Sequence, residues 1–312
     1  MPFEIIKKLS GREKRRRYDP FIFNKAEYHG LWKAQRALSF YLLDKASLNI
    51  YAEIHFVLED GVLISLPKAS FGSFQFSDDI ADQWLVWFID QIEQESRKLG
   101  IDSILIRAYP DAYAPVNASR QSRLLKEHGY HRAYTDTSFH IDLTKDFAGG
   151  LKESEFARLR SLKNKGFMAE LWERPDPDAI YRLLLSSRKA RGYPMTMAPD
   201  DFARVFDRSP SIYKAFRVVS RDCMVAAGVT VHINDRILYS FYVGESPEYR
   251  KYSPVVGLIA SMARYGLESG YSLFDLGIAT DKGALNEGLV RFKINMGGIP
   301  SDKPMFEKKL NS

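Results

Sequence analysis

The sequence predicts an α/β fold made of two similar units in tandem, each with a mixed β-sheet. The 312 residues are 45% hydrophobic and 27% charged, an ordinary globular composition at a length that suits about two domains. The same order of elements occurs twice: strand, tight turn, strand, loop, helix, glycine and strand. In each copy the last strand follows a helix, so it joins its sheet through a crossover, which makes the sheet mixed.

The first copy starts at YAEIHFVLEDGVLISLPK, where Asp60 and Gly61 predict a tight turn between two strands. The stretch DDIADQWLVWFIDQIEQESRKLG then predicts a helix, because Trp84 and Phe88 share one face of it. Asp78 or Asp79 is its predicted N-cap. A glycine ends the helix, and IDSILIRAYP predicts a buried strand.

The second copy starts at CMVAAGVTVHINDRILYSFYVGES and continues with a helix in SPVVGLIASMARYGLESG and a buried strand in YSLFDLG. Ser253 is the predicted N-cap of that helix, and Pro254 suits its first position. A further helix and strand follow each copy: ASRQSRLLKEHGY with YTDTSFHIDL, and ALNEGLVRFKINMGG with KPMFEKKL. A repeat of this length indicates duplication of a whole domain.

The predicted domain boundary is the pair Gly149 and Gly150, which gives an N-terminal domain of residues 1–148 and a C-terminal domain of residues 149–312. The segment after it contains two helix patterns separated by a short strand near Met168. In the first domain, Asp78 and Asp79 stand at the start of the helix that follows the loop, where they would repel an anion. The first domain is therefore expected to bind the acceptor or to be structural.

Composition and charge limit the compartment and the partners to be expected for the protein. Cys223 is the single cysteine, so no internal disulfide is possible and nothing indicates an oxidising compartment. We find no signal-peptide pattern and no run of about 18 apolar residues, so the expectation is a soluble, cytoplasmic protein. The net charge of +6 suits an anionic partner such as tRNA or a CoA pyrophosphate, and the densest basic run is residues 14–17.

Several kinds of chemistry have no support in the sequence. The histidines are scattered and one cysteine offers no CxxC pair, so no metal site is expected; the histidines are His29, His55, His128, His131, His140 and His232. The chain has no GxSxG elbow, no P-loop and no GxGxxG motif. Nucleophile-elbow hydrolysis, Walker-type phosphoryl transfer and dinucleotide redox chemistry are therefore not indicated.

The order of elements in the second half, and several of its segments, resemble the GNAT acyltransferase fold and in particular the Fem-type aminoacyltransferases, which carry two GNAT-like domains in tandem. The matching segments are LKESEFARLRSLKNKGF, SSRKARGYP, PEYRKYSPVVGLIASMARYGLESG, FDLG and VRFKINMGG. The resemblance covers nearly the whole chain, and most of its specificity lies in the second half. It implies two tandem GNAT-like acyltransferase domains, with the site in the second.

The resemblance also implies site residues. The donor-binding group is Arg250, Ser253, Val255, Val256, Gly257 and Phe292. The substrate-binding group is Arg188, Arg191, Tyr193 and Tyr239. The first three would bind an anionic acceptor, or else the two arginines belong to a solvated helix end. Free N–H groups at a helix start attract phosphates, and the candidates here belong to Val255, Val256 and Gly257.

The catalytic candidates are Lys293, Asp275 and Tyr242. Lys293 would add positive charge near the donor phosphates or the developing oxyanion, or else be an exposed helix lysine. Asp275 would orient that lysine or act as a general base, or else be a strand-end acid bonded to loop N–H groups. Tyr239 and Tyr242 are expected on opposite faces of one strand. A phenol near the leaving group would act as a general acid, or else either tyrosine packs in the core.

The donor loop departs from the acyl-CoA pattern, because RKYSPVVG has a proline and two valines where such enzymes carry glycines. This weakens acyl-CoA as the donor and favours aminoacyl-tRNA. The predicted function is direct transfer of an acyl or aminoacyl group to an amine, with no permanent cofactor; the resemblance implies a peptidoglycan precursor as acceptor. The alternatives are an acyl-CoA-dependent N-acetyltransferase of a small amine, and a noncatalytic RNA-binding or scaffold protein.

Overall fold

The computed structural model of the chain describes residues 1–13, 15–25, 28 and 36–310. Its strands are, in chain order, β1 (Phe3–Ile6), β2 (Ala37–Asp44), β3 (Ile50–Glu59), β4 (Val62–Ile64), β5 (Gln75–Phe76), β6 (Ser103–Arg107), β7 (His131–Asp142), β8 (Met168–Leu171), β9 (Tyr213–Ser220), β10 (Cys223–Asn234), β11 (Ile237–Glu245), β12 (Leu273–Ile278), β13 (Thr280–Asp281), β14 (Ala284–Leu285) and β15 (Ile299–Lys309).

The α-helices are α1 (Asp82–Lys98), α2 (Pro115–Glu127), α3 (Phe147–Gly150), α4 (Glu153–Asn164), α5 (Pro177–Lys189), α6 (Pro199–Arg208), α7 (Pro254–Glu268) and α8 (Glu287–Asn295). Short 3-10 helices cover Ile22–Asn24, Asp111–Tyr113 and Pro247–Tyr252. No helix in the part of the chain that the structure describes is long and apolar enough to cross a membrane.

Two compact units divide the chain. The first consists of Met1–Thr137, Thr280–Ala284 and Ser301–Ser312, and the second of Ser138–Ala279 and Leu285–Pro300. In the first unit the sheet order is β1-β2-β3-β4-β6-β15, with β5 paired to β3. The strands β4 and β6 are parallel, so this sheet is mixed, as the crossover through α1 requires. The turn between β3 and β4 has positive φ at both Asp60 and Gly61, as a tight hairpin demands.

The second unit has the strand order β7-β12-β11-β10-β9-β8, to which residues 138–142 of β7 contribute. The strands β11 and β12 are parallel and the other pairs are antiparallel. The helix α7 is the crossover between β11 and β12, and its apolar face packs on the sheet; the core includes Val256, Leu258, Met262, Phe216, Leu238 and Phe274.

The two units differ from the predicted division at residue 149 in three places, of which the shortest is Thr280–Ala284, a segment of the first unit. Residues 138–148 lie in the second unit, because residues 138–142 of β7 pair with β12. Residues 301–312 lie in the first unit, because β15 pairs with β6, for example Phe306 with Ile106. Phe306 and Leu310 are buried in the core of the first unit.

The predicted N-caps of two helices are also corrected. The residue before α1 is Ala81, which makes no side-chain capping bond, so neither Asp78 nor Asp79 caps that helix. Ser253 does precede α7, and Pro254 does occupy its first turn. The Ser253 hydroxyl, however, makes no capping bond, because this residue has a left-handed backbone with φ of 56°.

Candidate active site

The parallel strands β11 and β12 are paired over a short stretch only. Their ladder joins residues 237–239 to residues 273–275, whereas β11 continues to Glu245 and β12 to Ile278. Each strand also has a one-residue bulge near this point, Phe241 against β10 and Leu276 against β7. Because a bulge bends and twists its strand, the pairing of β11 with β12 is lost beyond Tyr239 and Asp275.

Gly277 lies just beyond that point and is held from two sides. Its φ is +78°, in the left-handed region that favours glycine. The backbone N–H of Gly277 donates to Oδ1 of Asp275 at 2.6 Å, and the Ser138 hydroxyl donates to the same oxygen at 3.0 Å. The Lys293 ammonium donates to the carbonyl oxygens of Gly277 and Ile278, at 2.7 Å each. We call this arrangement the Gly277 clamp, formed by Asp275 and Lys293.

Both members of the Gly277 clamp are buried. Asp275 is 2% exposed and Lys293 is 5% exposed, so the alternative of an exposed helix lysine is wrong. A buried ammonium is tolerated only when it is hydrogen-bonded, and two backbone carbonyl groups meet that need. Asp275 accepts a backbone N–H beside the strand end, as the alternative for this residue expected. The clamp therefore has a structural role in shaping the end of β12.

The helix α8 places Lys293 at this position. Asn286 caps its start, because the Asn286 side chain accepts a hydrogen bond from the Leu289 N–H at 3.0 Å. Gly297 ends it with φ of +83°, and the Gly298 N–H donates to the Lys293 carbonyl oxygen at 2.8 Å. The double glycine thus stops the helix one turn after Lys293.

Tyr239 and Tyr242 lie on the same face of β11, contrary to the expectation from strand periodicity. Leu238 and Val243 both pack in the core that contains α7, so their neighbours Tyr239 and Tyr242 both point to the opposite face. The reason is the bulge at Phe241, which adds one residue between the two tyrosines and shifts the alternation.

Tyr242 is buried beside α5 and the loop that follows it. Its hydroxyl shares a hydrogen bond with the Thr196 hydroxyl at 2.5 Å, and the Arg188 guanidinium lies 5.8 Å from its ring centre. Burial raises the pKa of Tyr242, against the opposing effects of the Thr196 hydrogen bond and the Arg188 charge. Because its pKa is raised, the phenol keeps its proton at neutral pH. Arg188 also donates to the carbonyl oxygen of Pro194 at 2.7 Å.

A row of polar residues crosses three strands at the end of the ladder. Asp275 is the register partner of His140 on β7 and of Tyr239 on β11. Phe139 and Ile141 both lie in the core, so His140 points to the opposite face. A methyl group at Gly277 would lie 3.6 Å from Cε2 of Tyr239 and 3.8 Å from Nζ of Lys293, which places Tyr239 at the Gly277 clamp.

His140 is a residue that the sequence does not single out. Its Nδ1 is buried and has no hydrogen-bond partner in the described part of the chain. Burial lowers the pKa of His140, while the nearby carboxylates of Asp275 and Asp142 act in the opposite direction. The imidazole is therefore neutral at physiological pH and able to accept a proton. Its one signal in the sequence is its place on the predicted strand YTDTSFHIDL.

Glu245, which the sequence also does not single out, draws together three of the predicted binding residues. Its carboxylate binds Nη2 of Arg191 at 2.8 Å, lies 3.5 Å from Nε of Arg250 and is near the backbone N–H of Val255. The Glu245 backbone N–H donates to the Ser187 hydroxyl at 3.1 Å. Burial raises the pKa of Glu245, against the effects of the two arginines and the Val255 N–H.

The first turn of α7 thus has its N–H groups largely engaged within the chain. Pro254 has no N–H, and the Val255 N–H lies near the Glu245 carboxylate. The Val256 N–H donates to the carbonyl oxygen of Ser253 at 3.0 Å. The Val256 N–H is therefore not a free donor, although the sequence predicted that role for it, and the Val255 N–H has a carboxylate beside it.

The remaining predicted residues do not join one site. Val256 is buried in the core, and Phe292 packs against it. A methyl group at Gly257 would lie 3.2 Å from a leucine of α4, so this glycine permits helix packing. Tyr193 is half exposed, and its hydroxyl accepts a hydrogen bond from Nδ2 of Asn286 at 3.1 Å.

The corresponding position in the first unit is closed by backbone and side-chain hydrogen bonds. The Ser65 N–H donates to the Leu105 carbonyl oxygen at 2.9 Å, and the Arg107 N–H donates to the Ser65 hydroxyl at 2.8 Å. The Gly72 N–H donates to the Arg107 carbonyl oxygen at 2.9 Å. The segment of residues 65–72 therefore continues along the edge of β6 instead of leaving it open.

The basic run at residues 14–17 is partly neutralised. Lys14 lies outside the described residues. Arg16 forms an ion pair with the buried Glu53 at 2.9 Å, and Arg17 forms one with Asp79 at 3.2 Å. Two of the four basic side chains are therefore engaged in ion pairs within the first unit.

No group of three or more His, Cys, Asp or Glu side chains that could hold a metal ion occurs within residues 1–13, 15–25, 28 and 36–310. His128 and His131, which are close in sequence, lie near different acids, Asp90 at 3.5 Å and Glu307 at 3.6 Å. His29 lies outside the described residues.

Two units with this order of strands and helices, and a parallel strand pair whose ladder ends beside a helix start, define the tandem form of the GNAT acyltransferase fold. Residues 152–293 match the family described as an acetyltransferase (GNAT) domain. The predicted fold and the predicted likeness to Fem-type proteins are confirmed.

Solved structures with the same fold include FemX, with a TM-score of 0.69 at 14% identity over 95% of this chain and 94% of that chain. L-PGS from Bacillus licheniformis gives a TM-score of 0.61 at 13% identity, covering 88% of this chain and 84% of that chain. A tandem GNAT protein from the clavulanic acid biosynthesis pathway gives 0.55 at 13% identity, covering 88% and 83%. No curated protein sequence matches the chain.

Proposed function

We propose that this chain is an N-acyltransferase in which an amine attacks the carbonyl carbon of an acyl or aminoacyl donor directly, with no covalent enzyme intermediate. The observation that carries the proposal is the loss of pairing between β11 and β12 beyond Tyr239 and Asp275. An extended acyl group fits such an opening, because backbone N–H groups of β11 beyond the ladder can bind its carbonyl oxygen. That oxygen becomes negative as the amine attacks.

In this proposal Lys293 is a positioning residue. Its ammonium is bonded to the Gly277 and Ile278 carbonyl oxygens, so it fixes the wall of the opening and does not contact the oxyanion directly. A positive charge held in a buried place also favours negative charge that develops nearby. Asp275 completes the same wall by holding the Gly277 N–H.

We assign proton transfer to His140 and Tyr242. As the bond from the amine nitrogen to the carbonyl carbon forms, the amine proton passes to the neutral imidazole of His140. Asp275, its register partner, stabilises the imidazolium that results. As the bond from carbon to the donor oxygen breaks, the phenol of Tyr242 gives its proton to that oxygen. His140 takes the base role in place of Asp275, since Oδ1 of Asp275 already accepts two hydrogen bonds.

The donor we favour is an aminoacyl ester of tRNA, and the acceptor an amine of a peptidoglycan precursor. The likeness to Fem-type proteins supports both, and the net charge of +6 suits an anionic donor. The alternatives are transfer from acyl-CoA to a small amine, and a noncatalytic RNA-binding or scaffold role. The closed edge of β6 supports an acceptor-binding or structural role for the first unit.

Parallel reactions with charged tRNA and with a panel of acyl-CoA donors test the proposal, with the mass of the acceptor as the readout. We expect the acceptor to gain the mass of an aminoacyl group with charged tRNA. A gain with acyl-CoA alone would favour the alternative donor. No gain with either donor would overturn the proposed activity and favour a noncatalytic role.

Two variants test the assigned proton transfers. His140→Gln and Tyr242→Phe each remove one proton-transfer group, so we expect the transfer rate to fall by about 10²- to 10⁴-fold. The matched controls are His232→Gln and Tyr271→Phe, whose side chains share a hydrogen bond of 2.6 Å with each other. The assignment fails for either residue if its variant keeps the rate of its control.

A further inference from the structure

We infer that Glu245 closes the start of α7 to a pyrophosphate and thereby sets which donors the chain accepts. This inference rests on the proposed function, because it concerns the donor of that same reaction. The GNAT fold implies acyl-CoA as a donor, and a pyrophosphate requires free backbone N–H groups at a helix start. Whether the residues at α7 fit that group is therefore decided by what those N–H groups bind.

The buried carboxylate of Glu245 occupies the place of the anion. It is 4% exposed and lies near the backbone N–H of Val255 at the first turn of α7, which acts to lower the pKa of this carboxyl. Its own backbone is fixed by the bond to the Ser187 hydroxyl at 3.1 Å. Glu245 is the last residue of β11, so the end of this strand places the carboxylate near the start of α7.

The positive charges near this helix start are also engaged. Arg191 binds Oε1 of Glu245 at 2.8 Å, and Arg250 lies 3.5 Å from the same oxygen. A pyrophosphate at this position would meet a carboxylate of like charge and would have to displace both arginines from it. The residues present therefore do not fit a CoA pyrophosphate.

The backbone supports the same conclusion independently of charge. Pro254 supplies no N–H, and the Val256 N–H donates to the Ser253 carbonyl oxygen. Ser253 is held in a left-handed conformation at φ of 56° instead of a glycine turn that could move close to a phosphate. The donors that remain compatible carry the acyl group as an ester or thioester without a pyrophosphate at α7.

Calorimetric titration of the whole chain with coenzyme A and with inorganic pyrophosphate tests the inference. Glu245→Gln removes the charge and keeps the shape of the side chain. We expect wild-type protein to give no binding heat at millimolar ligand. We expect Glu245→Gln to bind both ligands with a Kd at least about tenfold below the weakest Kd that the wild-type titration could detect. The matched control is Glu155→Gln, a buried acid in the first turn of α4 that is paired with Arg158 at 2.8 Å.

Each outcome decides the inference. It is overturned if wild-type protein binds coenzyme A in competition with pyrophosphate, a result that does not depend on whether the variant folds. It is overturned equally if folded Glu245→Gln gains no affinity, or if Glu155→Gln gains as much. These titrations need no turnover, so absence of transfer from every donor would refute the proposed function while the binding result still stood by itself.

Discussion

Replacement of Lys293 by methionine removes the cation from the Gly277 clamp and keeps most of the apolar stem. Two hydrogen bonds of 2.7 Å are lost, and the carbonyl oxygens of Gly277 and Ile278 lose this donor. The substitution changes the size of the side chain at residue 293 by only a few atoms. The variant therefore measures what the clamp contributes to the stability of the second unit.

The expected loss follows from these two carbonyl groups. A buried polar group without a partner costs about 1–3 kcal/mol, which gives roughly 2–6 kcal/mol for two; the upper part of this range does not apply, because Ile278 is 37% exposed and water can reach its carbonyl group. Removing the buried ammonium also relieves its desolvation, which offsets part of this cost. We expect a net loss of about 2–4 kcal/mol, a large share of the ~5–15 kcal/mol typical of a folded domain.

Urea denaturation followed by circular dichroism measures this loss. The matched control is Lys163→Met, an exposed lysine that also lies in the last turn of a helix, α4, and we expect it to stay within about 0.5 kcal/mol of wild type. If Lys293→Met matches its control in stability but abolishes transfer, Lys293 serves the chemistry directly and the clamp interpretation is refuted.

Three further predictions concern the same region. Gly277→Ala puts a side chain at φ of +78°, 3.6 Å from the Tyr239 ring, so we expect about 1–2 kcal/mol less stability in urea; an unchanged midpoint would contradict this. Asn286→Ala removes the cap of α8 and should lower the free energy of unfolding by about 0.5–2 kcal/mol in the same assay. A smaller loss would show that other contacts hold the helix start. Burial lowers the pKa of His140, so its ring signals in an NMR titration should change at a pH below the ordinary pKa of 6.5. The contribution of His140 to the free energy of unfolding should be lost as the pH falls through this lowered pKa. A titration midpoint above 6.5 would show that the charge of Asp275 has a larger effect on this pKa than burial has.

Local sequence patterns were sufficient for most elements of the fold. Alternating strand residues around Asp60 and Gly61 and the helix periodicity from Asp82 onward depend on contacts between near neighbours. The placement of β15 was not predictable in this way, because its pairing with β6 joins residues about 200 positions apart. The same holds for the bulge at Phe241, which exists only relative to its partner strand β10.

The candidate site was predictable where its residues lie in one segment. Asp275 and Lys293 belong to the same strand–loop–helix unit, and the structure joins them through Gly277. His140 and Glu245 escaped notice because their partners come from distant strands and helices. A strand-end acid directly before the expected donor loop was the available signal for Glu245.

The position of β15 has a consequence for synthesis on the ribosome. Most residues of the first unit emerge before the second unit, yet the core of the first unit also contains Phe306 and Leu310, which emerge after the second unit. Until those residues leave the exit tunnel, β6 lacks its partner β15 and the first unit has an incomplete core. The second unit therefore has the opportunity to fold before the first one is finished, although it lies later in the chain.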